Sequence, residues 1–154
     1  MTPRRSGTTS TDGLIREFSA GGLVLRRFRG RAFVAAVRVK DGTLLALPKG
    51  NIEQGERGAD TAVREVFEET GLRVEAFEKL GDVRYWYVRP GGRRVFKVVS
   101  FFLCRYLGGS LRNFDPREVD GAEWVPLDDA PRLLAYKGER KIAEAALARG
   151  STSL

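Results

Sequence analysis

The sequence predicts an α/β fold in which helices pack on a mixed β-sheet. The chain has 154 residues, of which 42% are hydrophobic, enough for one domain with a real core. Several apolar segments rich in β-branched and aromatic residues are separated by glycine-containing turns, as in hairpins. Two other segments carry apolar residues at helical spacing. Strands in several hairpins together with two helical regions favour a mixed sheet covered by helices.

The first part of the chain supplies three predicted strands. Residues 18–28 and 31–40 are predicted to form a hairpin around the turn residues Arg29 and Gly30. Asp41-Gly42 is a second turn signal, and a short apolar strand follows at residues 43–48. Beyond it, Pro48 and Gly50 are expected to interrupt regular structure.

A helix is predicted from residue 58 to residue 70, and Gly71 is suited to end it. Two longer strands follow at residues 72–88 and 94–106. The glycine-rich turn at residues 90–93 separates them and indicates another hairpin.

The C-terminal part combines a loop, a strand and a helical region. Residues 108–121 are rich in Gly, Asn, Asp and Pro and are predicted to form a long loop. Residues 122–127 are predicted as the last strand. Asp128 is then expected to cap a helical region that extends to about Arg149.

Length and composition also bound the domain organisation. We expect one domain at residues 17–149, a disordered N-terminal tail at 1–16 and a short C-terminal tail at 150–154. No run of about 18 apolar residues is present, so no transmembrane helix is predicted. The first residues lack the apolar stretch of a secretory signal. These features favour a cytoplasmic protein without a membrane partner, and they leave the oligomeric state open. Nucleic acid is not an expected partner, apart from RNA 5′ ends.

Two absences narrow the possible chemistry. The chain has no histidine and one cysteine, Cys104, which excludes histidine-based catalytic triads, histidine-ligated zinc and internal disulfides. Cys104 lies in an apolar segment and is expected in the core. Acid, base and metal chemistry must therefore come from carboxylates, lysines or tyrosines. The net charge of +7 favours polyanionic partners.

The predicted helix carries a group of carboxylates. Glu65, Glu68 and Glu69 stand at positions i, i+3 and i+4, so they project from one face. Like charges at this spacing destabilise an isolated helix by about 0.2–0.5 kcal/mol per pair, and Arg64 offsets only part of this cost. The face is either simply solvated or a site for a divalent cation. The apolar residues form a second stripe that is expected to face the core: Ala59, Ala62, Val63, Val66 and Phe67.

The loop before the helix favours the ligand site. Glycines at positions 50, 55 and 58 allow the backbone to approach a ligand closely. Glu56 adds a fourth carboxylate, and Lys49 places an ammonium beside the same turn, where it could bind a phosphate oxygen. Oxygen ligands without histidine indicate Mg²⁺ or Mn²⁺ rather than zinc.

The segment GNIEQGERGADTAVREVFEETGL, residues 50–72, resembles the Nudix box, G-x5-E-x7-R-E-U-x-E-E-x-G-U, in which U is a bulky aliphatic residue. The order of strands and helices over about residues 17–149 is also similar to a Nudix domain, which implies an α/β/α sandwich with a mixed sheet. All nine defined positions of the pattern match: Gly50, Glu56, Arg64, Glu65, Val66, Glu68, Glu69, Gly71 and Leu72.

The resemblance implies Mg²⁺- or Mn²⁺-dependent hydrolysis of a nucleoside diphosphate linked to another group. It implies that Glu56 and Arg64 form an ion pair that holds the loop against the helix. A carboxylate, Glu65 or Glu69, would take a proton from the attacking water. The implied metal ligands are the carboxylates of Glu65, Glu68 and Glu69 and the carbonyl of Gly50.

The hairpin after the box is similar to that of diadenosine polyphosphate hydrolases. Strand alternation puts Tyr85 and Tyr87 on one face, with Arg84 and Trp86 on the other. Tyr87, or Tyr85, would stack on a nucleobase, and cross-strand packing within the sheet is the alternative for each. The basic residues of this hairpin would hold a long polyphosphate: Arg84, Arg89, Arg93, Arg94 and Lys97.

One further carboxylate is a candidate base or supplementary metal ligand. Glu118 precedes Trp124 by six residues, a spacing similar to that in bacterial RNA pyrophosphohydrolases, and Asp115 and Asp120 are alternatives. The leading hypothesis is hydrolysis of dinucleoside polyphosphates such as Ap4A and Ap6A, which are small nucleotide substrates. The alternatives are diphosphoinositol polyphosphates, the 5′-pyrophosphate of RNA, and a non-catalytic module that senses a nucleotide.

Overall fold

The computed structural model describes residues 14–149 and the backbone of Thr8–Thr9. These residues form one mixed sheet of eight strands. The strands are β1 (Thr8–Thr9), β2 (Ile15–Phe28), β3 (Arg31–Val39), β4 (Leu44–Ala46), β5 (Lys49–Asn51), β6 (Arg73–Val88), β7 (Arg94–Gly108) and β8 (Gly121–Pro126).

The sheet has the strand order β4-β3-β2-β7-β6, so β6 lies at one edge. The central strands β2 and β7 are parallel, from Ile15 opposite Val95 to Leu25 opposite Arg105. Strands β2 and β3, and strands β6 and β7, form antiparallel hairpins. The short strands β1 and β5 both pair with β2, whereas β8 pairs with β3.

The helices are α1 (Gly58–Thr70), α2 (Ala130–Leu133) and α3 (Lys137–Ala148), with 3₁₀ turns at Leu111–Asn113 and Leu127–Asp129. The prediction for α1 is confirmed. Gly71 ends it with a left-handed φ of 78°, and its N–H donates to the carbonyl of Phe67, as an αL cap does.

The two longer helices pack on opposite faces of the sheet because side chains alternate along each strand. On β2, Leu23 belongs to the apolar cluster that includes Ile142 of α3. Its neighbour Val24 belongs to the cluster that includes Val66 of α1. Cys104 is buried in this second cluster, as expected, and burial raises the pKa of its thiol to about 12.

The structure differs from the sequence prediction at several positions. Pro48 interrupts regular structure between β4 and β5, as predicted, but Gly50 does not, because it pairs with Ala20 within β5. Strand β2 begins at Ile15, before the predicted start of the domain. Phe67 was predicted to face the core but is 54% exposed. Helix α1 packs on the sheet through Val66, and each further residue of a helix is rotated by about 100°, which directs Phe67 away from the sheet.

The predicted C-terminal helical region is also not continuous. Asp128 lies within a 3₁₀ turn and is not a helix cap. Leu134 is extended, with φ −65° and ψ 137°, so it separates α2 from α3. Of the predicted tails at 1–16 and 150–154, residues 1–7, 10–13 and 150–154 lie outside the described residues.

Within residues 14–149, no helix is both long enough and apolar enough to cross a membrane.

Candidate functional site

The site is formed where the short strand β5 meets the buried face of α1. Gly50 lies directly against the carboxylate of Glu65, and a Cβ at position 50 would overlap it. The pairing of Gly50 with Ala20 fixes β5 to the central strand β2. A glycine is needed at position 50 because only hydrogen separates the backbone from the glutamate.

Arg64 connects the loop before α1 to the helix. Its guanidinium donates to both carboxylate oxygens of Glu56, at 2.7 and 3.0 Å, so the predicted ion pair is present. It also donates to the carbonyl of Asn51 at 3.0 Å and to Glu65 at 2.8 Å. Both oxygens of Glu68 accept from it at 3.2 Å. One cation therefore orients several carboxylates.

Glu56 is held in its ionised form. The hydrogen bonds from Arg64 lower its pKa to about 2, although partial burial acts in the opposite direction. Thr61 donates its hydroxyl to Glu56 at 2.6 Å, and the N–H of Glu53 donates at 3.1 Å. The pKa of the Arg64 guanidinium is raised, chiefly by its hydrogen bonds to Glu56. This pair is a structural anchor for the loop.

Glu65 and Glu69 have the opposite electrostatic environment. Both carboxylates are buried, and burial raises the pKa of each. For Glu69, 7% exposed, burial and the neighbouring Glu65 together raise the pKa to about 9. The backbone N–H of Lys49 donates to Glu69 at 3.2 Å. Two buried carboxylates in contact form a site that favours a cation or a shared proton.

The residues present fit a divalent metal ion. Carboxylate and carbonyl oxygens are the ligands that Mg²⁺ and Mn²⁺ prefer, and the structure brings Gly50, Glu65 and Glu69 together. Glu68 is exposed and turned toward Arg64. In the described part of the chain, no three acidic, histidine or cysteine side chains converge as a metal cluster. For Glu68 to act as the predicted ligand, its side chain would have to turn away from Arg64.

A cavity of about 940 Å³ lies between the β6–β7 hairpin and α3. Its wall includes the aromatic side chains of Tyr85 and Tyr136 and the lysines Lys49, Lys137 and Lys141. Lys49 connects the carboxylate pair with the cavity, because its backbone N–H donates to Glu69 and the residue also lines the cavity. The cavity therefore adjoins the carboxylate pair.

The side chain of Lys49 is held by Glu139 of α3. Its ammonium lies 2.8 Å from the Glu139 carboxylate and 5.4 Å from the centre of the Tyr136 ring. Glu139 is 3% exposed and also accepts the N–H of Leu47 at 2.7 Å. Glu139 stands in the charged segment KGERK, which is typical of a solvated surface, so periodicity would not have identified it.

The two tyrosines predicted to contact substrate have different surroundings. Tyr85 lines the cavity. Tyr87, 6.2 Å away between ring centres, donates its hydroxyl to Glu17 at 2.7 Å. Glu17 is buried and also contacts Arg89 and Lys97. The position that the sequence favoured for stacking, Tyr87, thus belongs to a polar cluster beside the cavity.

Arg94 lies on the other face of the hairpin. Its guanidinium stacks over Trp86, 4.9 Å from the ring centre. This placement follows from alternation, because Arg94 is opposite Val88 and shares a face with Trp86 rather than with Tyr85. The basic residues that do line the cavity on α3, Lys137 and Lys141, were not among the predicted substrate contacts.

Glu118 lies in the loop between β7 and β8, near the C-terminal end of α1. The N–H of Asp115 donates to the carbonyl of Glu69 at 3.2 Å, which places this loop beside the site. Asp115 pairs with Arg117, and Asp120 accepts the N–H of Gly42. Glu118 is exposed, and its carboxylate makes no ion pair or hydrogen bond to another residue between 14 and 149. Of the three alternatives, it is the carboxylate left available to a ligand.

Known proteins similar to this chain include a mycobacterial protein and a bacterial RNA pyrophosphohydrolase. MutT4 of Mycobacterium tuberculosis, a candidate mutator protein, is 43% identical over 150 residues, which are 94% of this chain and 59% of MutT4. The chain thus spans less than two thirds of that relative. An RNA pyrophosphohydrolase of Novosphingobium aromaticivorans is 30% identical over 128 residues, covering 73% of this chain and 80% of the relative.

Among solved structures, an Ap4A hydrolase of C. elegans in a binary complex has a TM-score of 0.68. It is 20% identical and covers 86% of this chain and 96% of its own, a likeness that shows the fold. A family model of the NUDIX domain matches residues 16–146, a range that includes the box, the carboxylate pair and every residue that lines the cavity. The chain therefore belongs to the NUDIX domain family.

Proposed function

We propose that the protein is a divalent-metal-dependent pyrophosphohydrolase of nucleoside polyphosphates, with dinucleoside polyphosphates such as Ap4A and Ap6A as substrates. The observation that carries this proposal is that one residue, Lys49, contacts both the carboxylate pair and the cavity. The backbone N–H of Lys49 donates to Glu69, a proposed metal ligand, and Lys49 also lines the aromatic cavity. A polyphosphate at the carboxylates can therefore continue into a nucleoside in the cavity.

The cavity suits a nucleoside in size and chemistry. Small-molecule sites have volumes of about 300–1,000 Å³ and combine aromatic walls with a few polar groups, and this cavity has about 940 Å³. Tyr85 and Tyr136 offer π-faces on which a base can stack. Lys137 and Lys141 add positive charge along the α3 wall for phosphate oxygens.

The proposed cofactor is Mg²⁺ or Mn²⁺, held by Glu65, Glu68, Glu69 and Gly50. When bound, such an ion neutralises phosphate oxygens and lowers the pKa of a coordinated water. The chain supplies the orientation. Arg64 fixes Glu65 through a 2.8 Å hydrogen bond. Burial beside Glu65 raises the pKa of Glu69 to about 9, so Glu69 could accept a proton only once a bound cation holds it in its ionised form.

A substrate panel tests the proposal. Ap4A, Ap5A and Ap6A are incubated with the protein in Mg²⁺ and in Mn²⁺, and the products are separated by ion exchange. Asymmetric cleavage that releases ATP is expected. Absence of cleavage of all three at micromolar enzyme would exclude the dinucleotide class. A diphosphoinositol polyphosphate in the same panel tests a third substrate class, and tight nucleotide binding without turnover would instead indicate a sensing module.

The 5′-pyrophosphate of RNA is the second candidate substrate. It is supported by the RNA pyrophosphohydrolase relative, of which this chain covers 80%, and by Glu118, which is exposed in the loop whose Asp115 N–H donates to the carbonyl of Glu69. The test is release of pyrophosphate or phosphate from a 5′-triphosphorylated oligonucleotide. Faster turnover of this substrate than of Ap4A would make RNA the preferred substrate.

A further inference from the structure

The face of the β6–β7 hairpin opposite the cavity exposes aromatic rings beside arginines. Trp86 is 54% exposed, and its ring lies 4.9 Å from the ring of Phe96. The guanidinium of Arg94 lies 4.9 Å from the centre of the Trp86 ring. We call this surface the hairpin platform. It consists of Arg16, Arg84, Trp86, Arg94 and Phe96, of which Arg84, on the edge strand, also lines the cavity.

The register of three strands makes the platform continuous. Trp86 on β6 is directly opposite Phe96 on β7, and Phe96 is opposite Arg16 on β2. Arg84 lies two residues before Trp86 on β6, so its side chain leaves the strand on the same face. A row of two aromatic side chains and one arginine therefore crosses the strands, with further arginines on either side of Trp86.

The platform has excess positive charge. Asp82 lies 3.3 Å from Arg84 and offsets part of its charge. For Arg16 and Arg94, by contrast, no carboxylate between residues 14 and 149 forms an ion pair with the guanidinium. The whole chain has a net charge of +7. Aromatic faces next to arginines that no carboxylate between residues 14 and 149 neutralises match a ligand with stacked rings and a negatively charged backbone.

We propose that the hairpin platform binds single-stranded nucleic acid. Unpaired bases would stack on Trp86 and Phe96, and the flanking phosphates would contact Arg16 and Arg94. An apolar peptide is a poorer match, because it would cover these arginines without neutralising them. Cation–π contact with Arg94 holds the Trp86 ring, which reduces the freedom lost when a base stacks on it.

The platform and the cavity share the same edge of the sheet. Strand β6 is the edge strand, and consecutive residues Tyr85 and Trp86 lie on its two faces. A flexible strand that passes around this edge can contact both faces. Binding at the platform does not rest on the proposed hydrolysis, because it requires no metal and no reaction at the carboxylates.

The test is fluorescence anisotropy of a labelled 12-nucleotide oligo(U) in EDTA, with oligo(dT) and a duplex of the same length as comparisons. Trp86→Leu keeps an apolar side chain but removes the π-face, so we expect binding of both single strands to weaken by about tenfold, within the range for loss of one base–aromatic stack. Trp86→Tyr should retain most of the affinity. The matched control is Phe28→Ala, another exposed aromatic, 59% exposed and next to Arg29, which should bind as wild type does.

Arg94→Ala provides an independent readout. It should lower the slope of log affinity against log salt by about one, as expected for one lost phosphate contact. Equal binding of oligo(U) by wild type, Trp86→Leu and Phe28→Ala would overturn the proposal. So would Trp86-dependent binding that is as tight for the duplex, whose bases are not free to stack. Melting curves of each variant confirm that the fold is retained.

Discussion

At the scale of single residues, Arg64 and the glutamates around it define two kinds of carboxylate. Glu56 shares two hydrogen bonds with Arg64 and is a stable anion. Glu69 is buried next to Glu65 and resists ionisation. The pKa values of these two glutamates thus shift in opposite directions. Glu56 is paired with a guanidinium, whereas Glu69 is buried beside another carboxylate.

Glu56→Gln should destabilise the protein in a pH-dependent way. The pKa of Glu56 is lowered to about 2 from 4.5, so its contribution to the free energy of unfolding is present above pH 4.5 and is lost as the pH falls toward 2. The difference between wild type and variant should be about 3 kcal/mol at pH 7. Urea unfolding at pH 7 and pH 3 measures it. A difference that is the same at both pH values would show that the ion pair contributes nothing through ionisation.

Glu69→Gln should stabilise the metal-free protein while reducing activity. The pKa of Glu69 is raised to about 9, so wild type carries a cost that is absent below pH 4.5 and grows as the pH rises toward 9. In EDTA at pH 8, the variant should melt higher, by about 2–4 °C for each kcal/mol removed.

Magnesium provides the control for this prediction. Mg²⁺ should raise the Tm of wild type by mass action but leave the Tm of Glu69→Gln nearly unchanged. The kcat for a cleaved substrate should fall by about 10²–10⁴-fold. If Mg²⁺ raises both melting temperatures equally, Glu69 is not a ligand.

At the scale of secondary-structure elements, β5 connects the two sides of the site. It is only three residues long, yet Gly50 contacts α1 and Lys49 contacts α3. Its pairing with β2 fixes both contacts. A short strand can hold such a position because pairing and packing, rather than its own propensity, stabilise it.

Gly50→Ala should disturb the contact between β5 and α1. The added methyl group would overlap the carboxylate of Glu65, and overpacking of this kind costs about 1–3 kcal/mol. Both Tm and kcat should fall. The matched control is Gly121→Ala in β8, where an added Cβ would meet Arg38 at 3.5 Å, an ordinary contact. Equal behaviour of the two variants would mean that the close approach at Gly50 is unimportant.

The alternation of β6 separates the roles of its two tyrosines. Tyr85→Ala should raise KM for Ap4A by an amount equivalent to about 1–3 kcal/mol, with little change in kcat, because a stacked base gains nothing extra in the transition state. Tyr87→Phe removes the hydrogen bond to the Glu17 carboxylate and should lower stability by about 1.5–3 kcal/mol without changing KM. Steady-state kinetics and urea unfolding of both variants test these roles. A larger effect on KM at Tyr87 than at Tyr85 would make Tyr87 the residue that contacts the base.

At the scale of the whole molecule, the sheet separates two positively charged surfaces. Lys137 and Lys141 line the cavity on the α3 side, and the hairpin platform lies on the opposite face at the same edge. The net charge of +7 produces a field that attracts polyanions to both.

Salt should therefore weaken substrate capture. The Debye length falls from about 10 Å at 0.1 M to about 3 Å at 1 M ionic strength, so KM should rise with NaCl. The rise should be steeper for Ap6A than for Ap4A, since the longer substrate carries more charge. Initial rates over a salt series at constant Mg²⁺ test this. Identical slopes for the two substrates would indicate that only the phosphates at the carboxylates contribute.

Sequence patterns predicted the local elements well and the contacts between them poorly. The helix at 58–70 and its Gly71 end follow from periodicity and from the conformational freedom of glycine. The Arg64–Glu56 pair came from the resemblance, and its partners are only eight residues apart. Strand β5, by contrast, was missed because a three-residue strand containing glycine has no periodic signal.

By itself, the sequence determined the family, the carboxylate helix and the exclusion of histidine and disulfide chemistry, since these depend on composition and on short-range spacing. Only the tertiary structure decided which tyrosine lines the cavity, on which face Arg94 lies and that Glu139 holds Lys49. Lys49 and Glu139 are 90 positions apart in the sequence, and Glu17 and Tyr87 are 70 apart. Such contacts depend on strand register and helix docking, which no local pattern encodes.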